Sequence, residues 1–307
     1  MQRERKLALL RQVFKQPGRN LGHDEYAFFC PHHGARPDRV IGQLGVNIST
    51  DRWHCYSCGR GGKSLLFLFP FKSPEWEEYR KALPDFEPEE KKKDFDPVIL
   101  PSEFRSLSKD WKSPYQAAAL RYLESRGFGR KDVLSWKLGY CESGSYKNRL
   151  IIPSFDEFGH LNYLTGRAIY EGGDRYWNGR FCKDIIFNDY MIDWRKPVVV
   201  TEGPFDAMRA GPNATALLGS LLNTGSQLFS KLVLSGVEIY MALDADAQEK
   251  QADITRELFS YGAVCRIVPL GGKKDVGEMT DAEFSEAKKM SVPVRSEADL
   301  LRARVLS

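Results

Sequence analysis

From residue 196 onward, short apolar stretches alternate with helix-patterned ones, and this alternation limits the fold more than any other feature. PVVVTE, EIYMALD and AVCRIVPL read as buried strands and ATALLG as a shorter one. FDAMRA and AQEKQADITRELFSYG read as helices, the second stopped by Gly262. Strands that are apolar throughout are covered on both faces, and helices between them give that cover around a mainly parallel sheet. The fold class is therefore α/β in this half. Ligands of such sheets gather outside the carboxyl ends of the strands. Acids stand at those ends: Glu202 after PVVVT, and Asp244 and Asp246 after EIYMAL. Asp206, four residues past Glu202, lies one helical turn on and can reach back. Asp275 follows AVCRIVPL from the far side. Clustered carboxylates repel one another unless cations neutralise them. An all-oxygen set suits Mg2+ or Mn2+, as one ion or two, with Glu202, Asp244 and Asp246 as its ligands. Taken singly, each acid is equally a helix cap or a turn residue; their recurrence on consecutive strands favours the metal site.

A second ligand pattern lies upstream. Cys30-x2-His33 and Cys55-x2-Cys58 form two knuckles. Three thiolates and one imidazole make a closed tetrahedral set for one structural Zn2+, with no position left for water. His32 and His54 are the competing imidazoles, and a catalytic zinc is the alternative. Around the knuckles YAFF, IGQLGVNI and RWHCY read as three strands of a small sheet. Arg36, Arg39, Arg52, Arg60 and Lys63 interleave with Trp53 and Tyr56. Cations on phosphates and aromatics on unpaired bases are the means of holding single strands, and Arg52, Trp53 and Lys63 are the expected contacts. A solvated basic rim is the plain alternative.

The chain has 307 residues, room for about two or three domains. The stretch PDFEPEEKKKDFDP carries prolines and a charge run with few apolar residues, and reads as a linker. Beyond it, SPYQAAALRYLESRG reads as a helix, FGRKDVLSWKLGY as a short helix and a strand, and RLIIPSFDEFGHLNYLTGRAI as a hairpin turning near Asp156 to Gly159. The expected divisions are a zinc module over 1–83, a linker over 84–110, a basic subdomain over 111–195, the parallel-sheet domain over 196–290 and a tail over 291–307. The net charge of +4 neither establishes nor excludes a nucleic-acid partner. The apolar runs are too short for a bilayer, so no membrane partner is expected. Cys141, Cys182 and Cys265 are scattered singly, which fits a reducing cytosol.

The residues together resemble the bacterial and phage DNA primases of the DnaG type. CPHH and WHCYSCGRGG look like the two knuckles of their zinc-binding domain, which is zinc-ribbon-like. EGPFDA and ALDADA look like the signatures of a Toprim domain. RYLESRGF, NRLIIPSFDEFGHLNYLTGRA and RYWN resemble the mixed α+β, basic subdomain of the primase core. The resemblance covers about residues 20 to 290. It implies Glu202, Asp244 and Asp246 as metal-binding acids, Asp206 and Asp275 as supporting acids, and Arg149, Arg167 and Arg175 as holders of template or nucleotide phosphates. Gly219 and Ser220 resemble the loop after the second Toprim strand. Three departures stand out. Gly277 occupies a position where the family often has another acid, Asp156-Glu157 occupies a turn that is usually more basic, and the chain ends soon after the Toprim-like part. The compact form looks more like a phage or mobile-element primase.

What the resemblance implies is RNA primer synthesis from ribonucleoside triphosphates on a single-stranded DNA template. A replicative helicase is the implied partner, and a bacterial or phage-infected cytoplasm the implied location. Two rivals remain. A Toprim nuclease would nick DNA with the same acids, and a non-catalytic single-stranded DNA-binding replication module would bind DNA without using them.

Overall fold

Leu7, Leu9 and Leu10 lie on one side of helix α1 (Arg3–Phe14) and are the first side chains along the chain to enter a core. The computed structural model describes residues 1–31, 42–57, 61–70, 73–83, 96–170, 174–219, 222 and 225–306. The first core lies under a fully antiparallel sheet whose order follows the sequence: β1 (Arg19–Gly22), β2 (Glu25–Phe28), β3 (Leu44–Asn47), β4 (Trp53–Cys55) and β5 (Gly61–Gly62). Helices α1 and α2 (Pro74–Ala82) close it, with Phe28, Leu44, Val46, Leu65 and Tyr79 buried between. Ser73 caps α2 by accepting the Trp76 N–H, and Pro74 takes the first turn, where no donor is needed.

The second sheet is also antiparallel. It runs β10 (Tyr176–Trp177), β9 (Leu161–Ala168), β8 (Arg149–Phe155), β7 (Gly139–Cys141), β6 (Phe104–Ser106). β8 and β9 form the hairpin expected from their alternation. Its turn is fixed by Asp156, whose Oδ1 accepts the N–H groups of Phe158 and His160. Helices α3 (Pro114–Ser125) and α4 (Arg130–Ser135) pack Ala119, Leu123 and Val133 onto Leu150 and Ile152.

The third sheet is the one that positions the site. Its order is β12 (Ala214–Ala216), β11 (Val198–Thr201), β13 (Ile239–Ala242), β14 (Cys265–Ile267), β15 (Val292–Val294). The first three pairings are parallel and the last is antiparallel. Every residue of β11 is buried, as a strand covered on both faces requires. Val198, Val200, Ile239 and Met241 face one way, onto Phe229 and Leu232 of α6 (Gln227–Ser235) and Leu258 of α7 (Gln248–Ser260). Val199 and Ala242 face the other, into a core made of α5 (Pro204–Ala210), α8 (Asp281–Lys289) and the second sheet with its helices. The second and third sheets therefore share one hydrophobic core.

Residues 84–95 of the expected linker lie outside the described residues, but 104–106, within the same stretch, form β6. The stretch read as a tail contains β15 and helix α9 (Glu297–Leu306). Pro293 made that strand hard to see in sequence. It sits on an edge strand, where a missing N–H costs no ladder bond. The first sheet meets the third through Phe67, which packs against both of their cores, and through Gly262 after α7. Gly262 has φ +86°, and a Cβ there would stand 2.6 Å from the Phe67 ring, so the approach needs glycine.

Candidate active site

The parallel register brings the ends of β11 and β13 side by side, Thr201 opposite Ala242. Glu202 is the next residue on one strand, and Asp244 comes two past the end of the other. Gly203 and Pro204 then start α5, and Asp206 reaches back one turn so that its Oδ2 accepts the Gly203 N–H at 3.1 Å. That is a capping bond, as the plainer reading of this acid expected. Its other oxygen accepts the Gly277 N–H at 2.9 Å from a different loop. Asp275 caps the 3-10 turn Val276–Glu278 by accepting the Glu278 N–H. Ala245 N–H donates to Lys274 O, which ties the Asp244 loop to the Asp275 loop.

Glu202, Asp206, Asp244 and Asp275 line one cavity of about 270 Å3 between the second and third sheets. Asp246 is exposed in the following 3-10 turn and is not part of that lining. Burial, and then the charges of Asp206, Glu202, Asp275 and Asp246, push the Asp244 carboxyl up from its ordinary range to about 7. Burial and the Asp275 charge push Asp206 to about 6, against the two backbone N–H bonds and the Arg126 guanidinium, which favour its charged form. Glu202 Oε2 and Asp244 Oδ1 are buried without a hydrogen-bond partner. A buried acceptor left without a donor costs about 1–3 kcal/mol, more if charged, so these two oxygens suit a cation. Among the described residues, no three His, Cys, Asp or Glu side chains form a ready-made metal cluster. Mg2+ does not need one. It keeps several waters and takes one or two carboxylates together with substrate phosphates. The donor set therefore fits a divalent cation held by Glu202 and Asp244.

Gly277 matters for space. A Cβ there would lie 3.0 Å from Asp206 Oδ1 and 3.2 Å from Asp275 Oδ1, so any side chain would crowd both carboxylates.

The rest of the cavity lining is cationic and aromatic: Arg126, Arg175, Tyr163 and Tyr176 come from the second sheet and its helices, and Lys274 stands beside Asp275. The Arg126 guanidinium lies 4.9 Å from the Phe205 ring centre. Arg167 is 9% exposed, stacked 4.8 Å from the Tyr176 ring, and its Nε and Nη1 have no acceptor. A buried guanidinium with two unused donors beside a cavity is chemically a phosphate or carboxylate holder. Arg149 behaves differently. Its Nη1 donates to Gly166 O and Asp174 O at 3.3 and 2.9 Å, which ties β9 to the β10 approach; neither it nor Arg167 lines the cavity, but Arg167 lies against Tyr176, which does. Sequence reasoning missed Arg126, Lys274 and Lys250, whose Nζ pairs with Glu202 Oε1 at 2.8 Å. It also missed Lys183, which reaches the Gly219 end of the cavity. Arg126 lies within RYLESRGF, and Lys250 lies four residues past Asp246 on α7; spacing alone offered no signal for Lys183.

In the first sheet, Cys30 and Cys55 are both buried. Phe28 pairs with Leu44, and Leu44 with Cys55, so the two cysteines lie toward one end of the sheet. His33 and Cys58 lie outside the described residues, as do Arg36, Arg39, Arg60 and Ser220. Two of the expected contact residues are engaged within the fold. Trp53 is only 5% exposed, and its indole N–H donates to Ser64 O, so it belongs to the core and presents no face to a base. Lys63 is paired with Glu257 at 3.3 Å and lies 5.2 Å from the Tyr261 ring centre, at the contact with the third sheet. The exposed aromatic is Tyr56, at 76%, with His54 edge-on to it. Arg52 is exposed. Among the described residues, no helix is long and apolar enough to cross a membrane.

No protein-family model matches the chain. It is 23% identical over 335 aligned positions to a DNA primase of Thermotoga maritima, covering 88% of this chain and 57% of that protein. It is 22% identical over 300 positions to a DNA primase of Listeria innocua, covering 74% of this chain and 46% of that protein. The chain thus spans about half the length of the curated relatives it matches. Among solved structures, it resembles a DnaG primase catalytic domain bound to single-stranded DNA, with a TM-score of 0.51 at 15% identity over 64% of this chain and 77% of that one. It also resembles the RNA polymerase domain of Mycobacterium tuberculosis primase DnaG, with a TM-score of 0.50 at 16% identity over 64% of this chain and 82% of that one. The fold is thus an α/β fold resembling the primase catalytic core.

Proposed function

We propose that this chain, distantly similar to the DnaG-type DNA primases in sequence and fold, makes short RNA primers on single-stranded DNA by metal-dependent nucleotidyl transfer. The carrying observation is the pair of buried, unpartnered oxygens, Glu202 Oε2 and Asp244 Oδ1, at the ends of adjacent parallel strands. In this reading residues 196–290 are a Toprim-type domain and 111–195 the basic subdomain that carries template and nucleotide.

The reaction joins the 3′-hydroxyl of one ribonucleotide to the α-phosphorus of the next, and pyrophosphate leaves. A divalent cation at Glu202 and Asp244 would neutralise charge and align the two anionic partners when bound. Asp206 and Asp275 hold the loops: one ties α5 to Gly277 and the other caps the turn that carries Gly277. Arg126, Arg175 and Lys274 face the same cavity and offset the triphosphate charge, and Arg167 offers its two unused donors to a phosphate oxygen. Cys30, His33, Cys55 and Cys58 are read as one structural Zn2+ site of a zinc-ribbon-like module, whose outward side chains His54 and Tyr56 meet the template.

The test is incorporation of labelled ribonucleotides on single-stranded templates with Mg2+, run beside nicking of a supercoiled plasmid. Template-dependent oligomers without nicking support the reading. Nicking without oligomers makes the chain a nuclease instead. DNA binding with neither makes it a non-catalytic module.

A further inference from the structure

Glu202 meets the candidate site already engaged. Lys250, in the first turn of α7, places Nζ 2.8 Å from Glu202 Oε1. The two side chains are 22% and 26% exposed, so this is a half-buried pair rather than a surface one. The second oxygen, Oε2, is the buried one without a partner. Helix α7 begins directly after the Asp244–Asp246 turn, so the backbone that carries two of the acids also carries the lysine.

The charge balance gives this pair a consequence. Glu202, Asp206, Asp244 and Asp275 line one small cavity, with Asp246 just outside it, and four of these acids press on Asp244. Left alone, such a set would attract a dication strongly whether or not a nucleotide were present. An ammonium held on Glu202 opposes this in two ways. It repels a dication at close range, in a half-buried setting where the effective dielectric is about 20 rather than that of water. It also occupies one carboxylate oxygen, so Glu202 offers only Oε2. Mg2+ tolerates this because it takes one or two carboxylates and completes its shell with phosphate oxygens and water.

We propose that Lys250 is a positioning residue that holds Glu202 by one oxygen and weakens divalent-cation binding to the empty-handed enzyme, so that the metal is held firmly only together with a triphosphate. The inference rests on the nucleotidyl-transfer reading of the site.

The test is Mn2+ binding to the full chain without nucleotide, followed through the electron paramagnetic resonance signal of free Mn2+, for the wild type, Lys250→Met, Lys250→Arg and Asp244→Asn. Lys250→Met keeps the stem and loses the charge; it binds Mn2+ about fivefold or more tightly than wild type. Lys250→Arg keeps the charge and binds Mn2+ less tightly than Lys250→Met. Circular dichroism checks that each variant is folded, and Lys250→Gln replaces the Met variant if that one does not fold. Equal or weaker Mn2+ binding by the uncharged variant overturns the role of Lys250. If Asp244→Asn abolishes binding in that same experiment, only the lysine's role falls. If Asp244→Asn leaves Mn2+ binding unchanged, the metal lies elsewhere, and the active-site reading falls along with the proposal.

Discussion

Asp244→Asn should stabilise the metal-free protein at neutral and alkaline pH while removing its activity. The Asp244 carboxyl stands at about 7 in the fold, pushed there by burial and four neighbouring acids, against an ordinary value of 3.8. An acid whose folded pKa is raised keeps its proton in the fold while the unfolded chain has lost it. Stability from this group is therefore fully present below the unfolded value and drains away as pH rises to the folded one. Above pH 7 the charge is carried at full cost. Three units at about 1.4 kcal/mol each set a ceiling near 4 kcal/mol. Asp244 is only partly buried, so solvent screening brings the expected gain on removing the charge to about 1–2 kcal/mol. For a domain of this size that is about 2–6 °C in melting temperature. The assay is thermal unfolding with a chelator present at about pH 8 and again at about pH 4.5, within a unit of the unfolded carboxyl's pKa, where only about a quarter of that cost applies. The Asn variant should melt higher at pH 8 and nearly level with wild type at pH 4.5. Added Mg2+ should raise only the wild type, because only it keeps the ligand. A variant that melts lower at pH 8, or that gains equally at both pH values, shows that Asp244 carries no such charge cost.

Other outcomes follow from the same geometry. Arg167→Met removes a buried guanidinium with two unused donors, so nucleotide or single-stranded DNA affinity by fluorescence anisotropy should fall about tenfold to a hundredfold, about 1.5–3 kcal/mol, with no loss of melting temperature. Trp53→Ala should cost the first module about 3–5 kcal/mol in thermal unfolding, because its indole is core. Tyr56→Ala should leave the fold intact and lower single-stranded DNA affinity by about 1–3 kcal/mol. Elemental analysis should find about one zinc per chain, lost in Cys55→Ser together with the folded signature of the first sheet.

The acids at the strand ends were legible because a parallel sheet leaves few places for polar side chains, and Glu202 and Asp244 fall at the ends of neighbouring strands. Trp53 was misread for a reason within reach. Side chains on a strand alternate, so once Cys55 faces inward, Trp53 two residues earlier must face inward too, leaving His54 and Tyr56 outside. Arg149 and Arg167 look alike in sequence, since both are arginines on hairpin strands. Only the three-dimensional arrangement shows one spent on backbone carbonyls and the other stacked on Tyr176 with donors to spare. Lys250 escaped notice because a lysine on an amphipathic helix is usually solvated. Its partner lies 48 residues away, just past the end of β11. The strand at Val292–Val294 escaped because it is short and contains proline.

In the proposed reaction Glu202 and Asp244 hold the metal for template-directed ribonucleotide joining. The most direct measurement is primer synthesis by the purified chain with Mg2+ and all four ribonucleoside triphosphates, across a library of single-stranded DNA templates. Short RNA oligomers whose sequence follows the template are expected from the wild type and not from a folded Asp244→Asn variant. No oligomer on any template from folded wild-type protein, or equal synthesis by the Asp244→Asn variant, would contradict this reading.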